Sequence, residues 1–309
     1  MQRVLTTVTL LGLLVATAAA FAITEHLKLI RAPVFGTLVT KVFSPVCNCS
    51  TDTAAIRIRL RRPDRVTVTI VDSGHHKVAT IASGVHMAVR RPMSFPWNGR
   101  TSDGAVAPDG VYYPWVHLEH GRHTYEFTNR IVLDTTVPKV LSATAAKPVL
   151  FAGPGRTVAV HYTFDEQANP VVYLGSNQII RGRATRERDK VKWGGTLGER
   201  QLPAGTYVLS VAARDAAGNE TPASARRKVK VVLRYIEVTP RRVVTHAGKR
   251  FRVSVRTAAP RYTWRLGHQH GSGRGAVLHL RAPTTPGTYR LVVAEHGNTT
   301  AALVRVRAK

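Results

Sequence analysis

Hydrophobic and polar positions alternate along most of this chain, and the alternation has the period of a strand. In AAIRIRL, Ile56, Ile58 and Leu60 share one face with arginines between them, and in RVTVTIV, Val66, Val68 and Ile70 do the same. Later runs repeat the pattern: TVAVHYTF, PVVYLG, KVKWGG, GTYVLSVAARD and KVKVVL, then RYIEVTP, KRFRVSVRT, RYTWRL, AVLHLRA, GTYRLVVAEHG and TAALVRVRA. The runs are short, recur about every 8–12 residues and are separated by Gly, Pro, Asp and Asn. Helical signals nearly vanish after residue 30. This spacing predicts an all-β chain of sandwiches, not strands alternating with helices. DTTVP, Asp134 to Pro138, breaks the pattern and predicts a domain junction, and a second falls at Arg234 or Tyr235. The expected organisation is an N-terminal segment at 1–23, a linker at 24–37, and domains at 38–136, 137–233 and 234–309.

A repeated aromatic–turn unit supports three domains. WNGRTSDGAVAPDGVYY runs from Trp97 to Tyr113; Trp193 is followed by LPAGTYVL, and Trp264 by TPGTYRL. Pro108, Pro203 and Pro286 stand before Gly110, Gly205 and Gly287, and Tyr112, Tyr207 and Tyr289 follow two residues after each glycine. Such recurrence argues for three copies of one domain. Proline presets φ at a turn, and glycine supplies the positive φ that other residues resist. The tyrosine then enters a strand with its ring on the core and its hydroxyl on the turn backbone, as in the tyrosine corner of immunoglobulin-like sandwiches. The tryptophan, one strand earlier, is the large core residue. Trp97, Trp193 and Trp264 are therefore expected to be buried, each near its own tyrosine.

The first domain carries a family resemblance. FSP, IRIRL, VTVTIVDSGHHKVATI and WNGRTSDGAVAPDGVYY, within residues 43–133, resemble the immunoglobulin-like domain of the flagellar hook-capping protein. The resemblance implies an immunoglobulin-like fold and an assembly or adhesion role, not flagellar function, because an apolar segment replaces the hook-binding region. Related domains carry an Asn-Gly-Asp-Gly turn after Phe-Ser-Pro, suited to a cation; here Val46-Cys47-Asn48-Cys49-Ser50 replaces it. Residues 139–233, with DAAGN at Asp215 to Asn219, are similar to bacterial immunoglobulin-like modules found in tandem arrays.

Val4 to Ile23 carries no charge and follows Arg3. About twenty apolar residues span a bilayer as a helix. The continuation through Phe21-Ala22-Ile23 favours an uncleaved anchor, while the small residues also fit a secretory signal cut after Ala20 or Ala22. Either reading places the remainder outside the cytoplasm. Net charge is +27, and about +26 lies beyond the apolar segment, spread through all three domains. Such a field draws in polyanions. Outside the cytoplasm these are lipid headgroups and wall polymers, not nucleic acid. The plainer alternative is arginine on ordinary solvated faces. KRFRVSVR and RYTWRLGHQHGSGR set arginines beside aromatics, which makes Arg250, Arg252, Arg256, Arg261, Arg265 and Arg274 the candidate polyanion contacts.

Other chemistry is sparse. Cys47 and Cys49 are the only cysteines. Outside the cytoplasm a local disulfide clipping the first loop is expected, beside the alternatives of free or intermolecular thiols. A metal would need two further ligands, and none is near in sequence. His117, His120, His123, His268 and His270 read as solvent-exposed. HExxH and Gly-x-Ser-x-Gly motifs are absent, and HGSGRG (His270 to Gly275) precedes a strand, so it reads as a hairpin loop. Asp103 and Asp109 read as turn formers. No catalytic, cofactor-binding or metal-binding residue is assigned. The expected function is a non-enzymatic envelope protein that binds an anionic polymer or a partner protein. A stalk without a specific ligand and an unrecognised envelope hydrolase stand as alternatives.

Overall fold

The computed structural model describes residues 2–29, 32–183 and 185–308, with side chains 8–22 alone in the N-terminal helix. It divides into two compact units, Met1–Thr135 and Thr136–Lys309.

The first unit holds α1 (Gln2–Leu29) and nine strands: β1 (Val34–Val39), β2 (Val42–Phe43), β3 (Ala54–Leu60), β4 (Asp64–Asp72), β5 (Lys77–Met87), β6 (Met93–Trp97), β7 (Gly110–Leu118), β8 (His123–Glu126) and β9 (Ile131–Leu133). They form a β1-β3-β6 sheet and a β2-β9-β7-β4-β5 sheet, with β8 added to β7. The alternation explains how the sheets close. Ile56, Ile58 and Leu60 of β3 and Val66, Val68 and Ile70 of β4 are buried against one another, while Arg57 and Arg59 point to water. HTYEFTNRIVLD, which closes the domain, divides into β8 and β9.

The second unit holds two sandwiches with separate cores. The first comprises β10 (Val140–Ala145), β11 (Val149–Phe151), β12 (Val158–Leu174), β13 (Asn177–Arg181), β14 (Arg186–Trp193), β15 (Thr196–Leu197), β16 (Arg200–Gln201), β17 (Gly205–Arg214) and β18 (Arg227–Arg234). The second comprises β19 (Ile236–Thr239), β20 (Arg242–His246), β21 (Arg250–Thr257), β22 (Tyr262–Leu266), β23 (Gln269–Gly273), β24 (Val277–Arg281), β25 (Gly287–Glu295) and β26 (Asn298–Arg307). TVAVHYTF and PVVYLG, read as two strands, are one. β12 pairs with β10 and β14 over its first half, then with β13 and β17 over its second. Its register shifts between Thr163 and Ala168, where the chain changes sheets. The intervening DEQAN looks like a turn but has no glycine, and the backbone passes through it extended.

All three sandwiches share one strand order. A three-stranded antiparallel sheet (β1-β3-β6, β10-β12-β14, β19-β21-β24) faces a sheet in which the second strand of the domain pairs with the last. That pairing is parallel each time: β2 with β9, β11 with β18, and β20 with β26. These are immunoglobulin-like sandwiches.

The N-terminal segment departs from expectation. Among the described residues no helix is long and apolar enough to cross a membrane. The described side chains, Val8 to Ala22, cover roughly 22 Å at helical rise, against about 30 Å of bilayer hydrocarbon. Both ends of the expected Val4–Ile23 span lie outside the residues whose side chains are described.

Candidate functional site

The repeated corner is the same in all three sandwiches. Tyr112 Oη donates to the Pro108 carbonyl at 2.5 Å, Tyr207 Oη to Pro203 at 2.8 Å, and Tyr289 Oη to Thr285 at 2.9 Å. Each hydroxyl thus satisfies the carbonyl four residues back. The expected positive φ holds at one of the three glycines. Gly287 adopts it, at 155°, whereas Gly110 and Gly205 do not. A Cβ on these glycines would meet the ring of the following tyrosine at 3.8, 3.7 and 3.7 Å. The ring folds back over the glycine to reach its carbonyl and leaves ordinary van der Waals room for a methyl, so only the backbone of Gly287 favours glycine.

Trp97 and Trp193 close the strands β6 and β14 and are 1% and 2% exposed. Trp97 Nε1 donates to the Arg100 carbonyl and Trp193 Nε1 to that of Thr196, both at 2.9 Å. Their rings meet Tyr112 and Tyr207 edge-on, at 5.0 and 5.8 Å. Trp264 differs. It is half-buried and lies inside β22, a strand of the other sheet, opposite Gly271 of β23. HGSGRG is accordingly not simply a loop, because its residues up to Gly273 belong to β23. A Cβ at Gly273 would stand 2.4 Å from the Tyr262 ring, and one at Gly271 3.0 Å from that of Trp264. The glycines make room for two rings laid across the edge strand.

Cys47 and Cys49 are joined in a disulfide, with Cys49 Sγ 3.0 Å from Thr51 Oγ1. Among the described residues no group of three or more His, Cys, Asp or Glu is placed to hold a metal. His117 contacts the Thr124 hydroxyl, His123 meets the Tyr125 ring edge-on, and His120 Nδ1 lies 2.9 Å from Asp64 Oδ1. His268 lies at the hairpin turn, and His270 stands in β23 opposite Arg265.

Several aspartates are committed to turns and loops. Asp64, which sequence reading passed over, is 7% exposed and also accepts from the amides of Arg65, His120 and Gly121. Burial raises its pKa, but the bonds from His120, Arg65 and Gly121 outweigh that and hold it below the ordinary value. A cleft of about 620 Å³ beside Tyr112 gathers Asp72, Asp103 and Asp109 with Lys77. Amides of His76 and Gly74 bind Asp72, and the Thr101 hydroxyl binds Asp103, lowering both pKa values; Asp109 accepts from Thr135. Carboxylates held ionised in this way are poor proton donors. In the second sandwich Asp215 shapes the DAAGN turn by accepting from the amides of Gly218 and Asn219 at 2.7 and 2.9 Å.

The six candidate arginines do not form one surface. Arg250, Arg252 and Arg256 alternate outward along β21; Arg265 lies on β22 in the opposite sheet, and Arg261 and Arg274 lie in exposed loops. Arg256 stacks over the Phe151 ring at 4.6 Å and faces Glu237 across the sheet, so it serves the junction with the preceding sandwich. The partners of Arg250 and Arg252 were not readable from spacing. Arg281 stands directly opposite Arg250, and His279 opposite Arg252. Lys249, Arg250, Arg281 and Thr284 line a cleft of about 880 Å³.

No family model matches this chain, and neither does any curated protein. Solved structures give distant likenesses. Three immunoglobulin domains of titin align over 90% of this chain and 99% of theirs, at 8% identity and TM-score 0.30. SGBP-B of a Bacteroides ovatus mixed-linkage glucan utilization locus, in complex with a heptasaccharide, aligns over 90% and 70%, at 15% identity and TM-score 0.26. The D0-D1 domain of intimin aligns over 63% and 95%, at 12% identity and TM-score 0.24. The fold assignment rests on the strand order and not on these scores.

Proposed function

We propose that this chain is a non-enzymatic, extracytoplasmic envelope protein that binds an anionic envelope polymer. The supporting observation is how the charge is carried. Bases project from outer sheet faces in each sandwich (Arg57 and Arg59; Arg188, Lys190 and Lys192; Arg250 and Arg252), while the acids described above are engaged in turns. An assembly or adhesion role, implied by the hook-capping resemblance of residues 43–133, fits the same reading. The attraction is Coulombic, and screening shortens from about 10 Å at 0.1 M salt to about 3 Å at 1 M. Retention of the protein on isolated cell walls should fall steeply over that range, and again when acidic polymers are stripped from the walls. Retention indifferent to both would sink the proposal.

A stalk reading has one observation of its own. Tyr235 alone separates β18 from β19, and its hydroxyl donates to the Leu202 carbonyl at 2.6 Å. Arg234 pairs with Glu237 across this joint, and Gly153 packs so closely on Ala258 that a Cβ would stand at 2.5 Å. A stiff joint suits a spacer as well as a binder, and the wall experiment separates the two.

A further inference from the structure

We infer that the outer face of the β19-β21-β24 sheet is a binding site for a linear phosphodiester polymer, contacted by Lys249, Arg250, Arg252 and Arg281. This assignment rests on the polymer-binding reading above and gives it a location.

The register of the bases, and the cleft that Lys249, Arg250 and Arg281 line together, carry the inference. Lysine and arginine on an edge strand have an ordinary purpose, because they block edge-to-edge pairing. Arg188, Lys190 and Lys192 fit that account, since they stand on β14, at the edge of its sheet. Arg250 and Arg252 stand on β21, which β24 covers on one side, whereas β19 pairs with β21 only from Ser254 to Thr257. Edge protection therefore accounts for Arg250 and Arg252 taken singly, but it does not require Arg281 to stand directly opposite Arg250.

Their register adds a cost. Arg250 faces Arg281 as a direct cross-strand pair, an arrangement in which like charges repel. The one acid in these three strands is Glu237, at the far end, where it meets Arg234 and Arg256. Uncompensated repulsion of this kind is relieved when an anion lies between the two guanidiniums. The backbone around them is fixed, with Gly248 N bonded to the Pro283 carbonyl and Ala282 N to that of Lys249.

The spacing favours phosphodiesters. Arg250 and Arg252 project from one face about 7 Å apart along the strand. Arg281 lies roughly 5 Å across from Arg250. A polymer with a phosphate in every repeat brings one anion to each row, and arginine binds phosphate through paired N–H donors. Polysaccharides with a carboxylate on alternate sugars hold their charges too far apart to fill both rows.

The test uses the full chain and synthetic poly(glycerol phosphate), with hyaluronate, which bears a carboxylate on alternate sugars, as the carboxylate polymer, titrated at several salt concentrations. The R250A/R281A variant should bind poly(glycerol phosphate) about tenfold more weakly at 0.1 M salt, with the log–log salt slope shallower by roughly two. R265A/R274A, with the same change in net charge, should stay within about twofold of the parent. Because R250A/R281A removes a repulsion, it should melt no lower than the parent. Absence of parent binding overturns both this site and the polymer-binding reading. Equal weakening by the two variants overturns the site alone and leaves that reading standing. Hyaluronate binding as tightly, with the same dependence on Arg250 and Arg281, overturns the phosphodiester assignment. A lower melting temperature for R250A/R281A would make the pair structural.

Discussion

The second and third sandwiches share a strand order but place their tryptophans differently. Trp193 closes β14, is buried, donates to a carbonyl three residues on and meets Tyr207 edge-on. Trp264 sits within β22, half in water, over a glycine of the neighbouring edge strand. The tyrosine corner is identical in both. The corner is therefore a requirement of the topology, since it satisfies backbone that the turn leaves open. The large indole goes wherever neighbouring side chains leave a gap of its size.

The largest expected effect breaks or sustains that contrast directly. W193A should lose about 3–5 kcal/mol, as truncation of a buried tryptophan does. W264A should lose about 1–2 kcal/mol, because part of its ring is already in water. Urea unfolding of the full chain reads both, and equal losses would erase the distinction. Next comes the glycine under the ring. G273A would push a methyl into Tyr262 and should cost about 1–3 kcal/mol. G205A only brings a methyl into ordinary contact with Tyr207 and should cost under about 1 kcal/mol.

The corner gives a smaller effect and tests what is shared. Y207F and Y289F should each lose about 0.5–1.5 kcal/mol, the worth of one hydrogen bond. If Y289F lost nothing, the corner would be a property of the first two sandwiches alone.

The smallest effect appears only in alkali. Burial raises the pKa of Tyr162 to about 12, with the charge of Asp189 adding to it, and burial also raises that of Tyr262. A group whose folded pKa lies above its unfolded value contributes stability that is complete below the unfolded pKa, about 10 for tyrosine. That contribution fades as pH rises through about 12 for Tyr162. Absorbance titration should show Tyr162 ionising after the exposed tyrosines and together with loosening of the second sandwich.

Much of the fold was legible because strand alternation is local. Ile56-Arg57-Ile58-Arg59-Leu60 announces a strand with one wet face, whatever the strand pairs with. The short strands were not legible. QHGSG of β23 has no apolar alternation, since its glycines serve rings on β22. The placement of Trp264 left a sequence signal that the shared motif obscured. Its distance to Tyr289 is much longer than that from Trp193 to Tyr207, long enough for the full strands β23 and β24 where the second sandwich has only the two-residue strands β15 and β16. Asp64 sits in RRPDR, which reads as a plain turn, and its partners His120 and Gly121 arrive only when β7 folds beside β4. Arg281 was hidden for the same reason. Strand identity is written locally, whereas register, which sets Arg281 against Arg250, is decided by the whole sheet.

Parallel pairing of the second and last strands of each sandwich has a mechanical consequence. When the two ends of the chain are pulled apart, these strands are drawn past each other lengthwise. Their evenly spaced hydrogen bonds are then strained together instead of parting singly like a zip. Resistance to force grows with the length of the shared ladder. β20 and β26 are joined from Arg242–Leu303 through His246–Arg307, β11 and β18 at only three positions, and β2 and β9 at only two. Under load the third sandwich should be the last to give way and the first the earliest to yield.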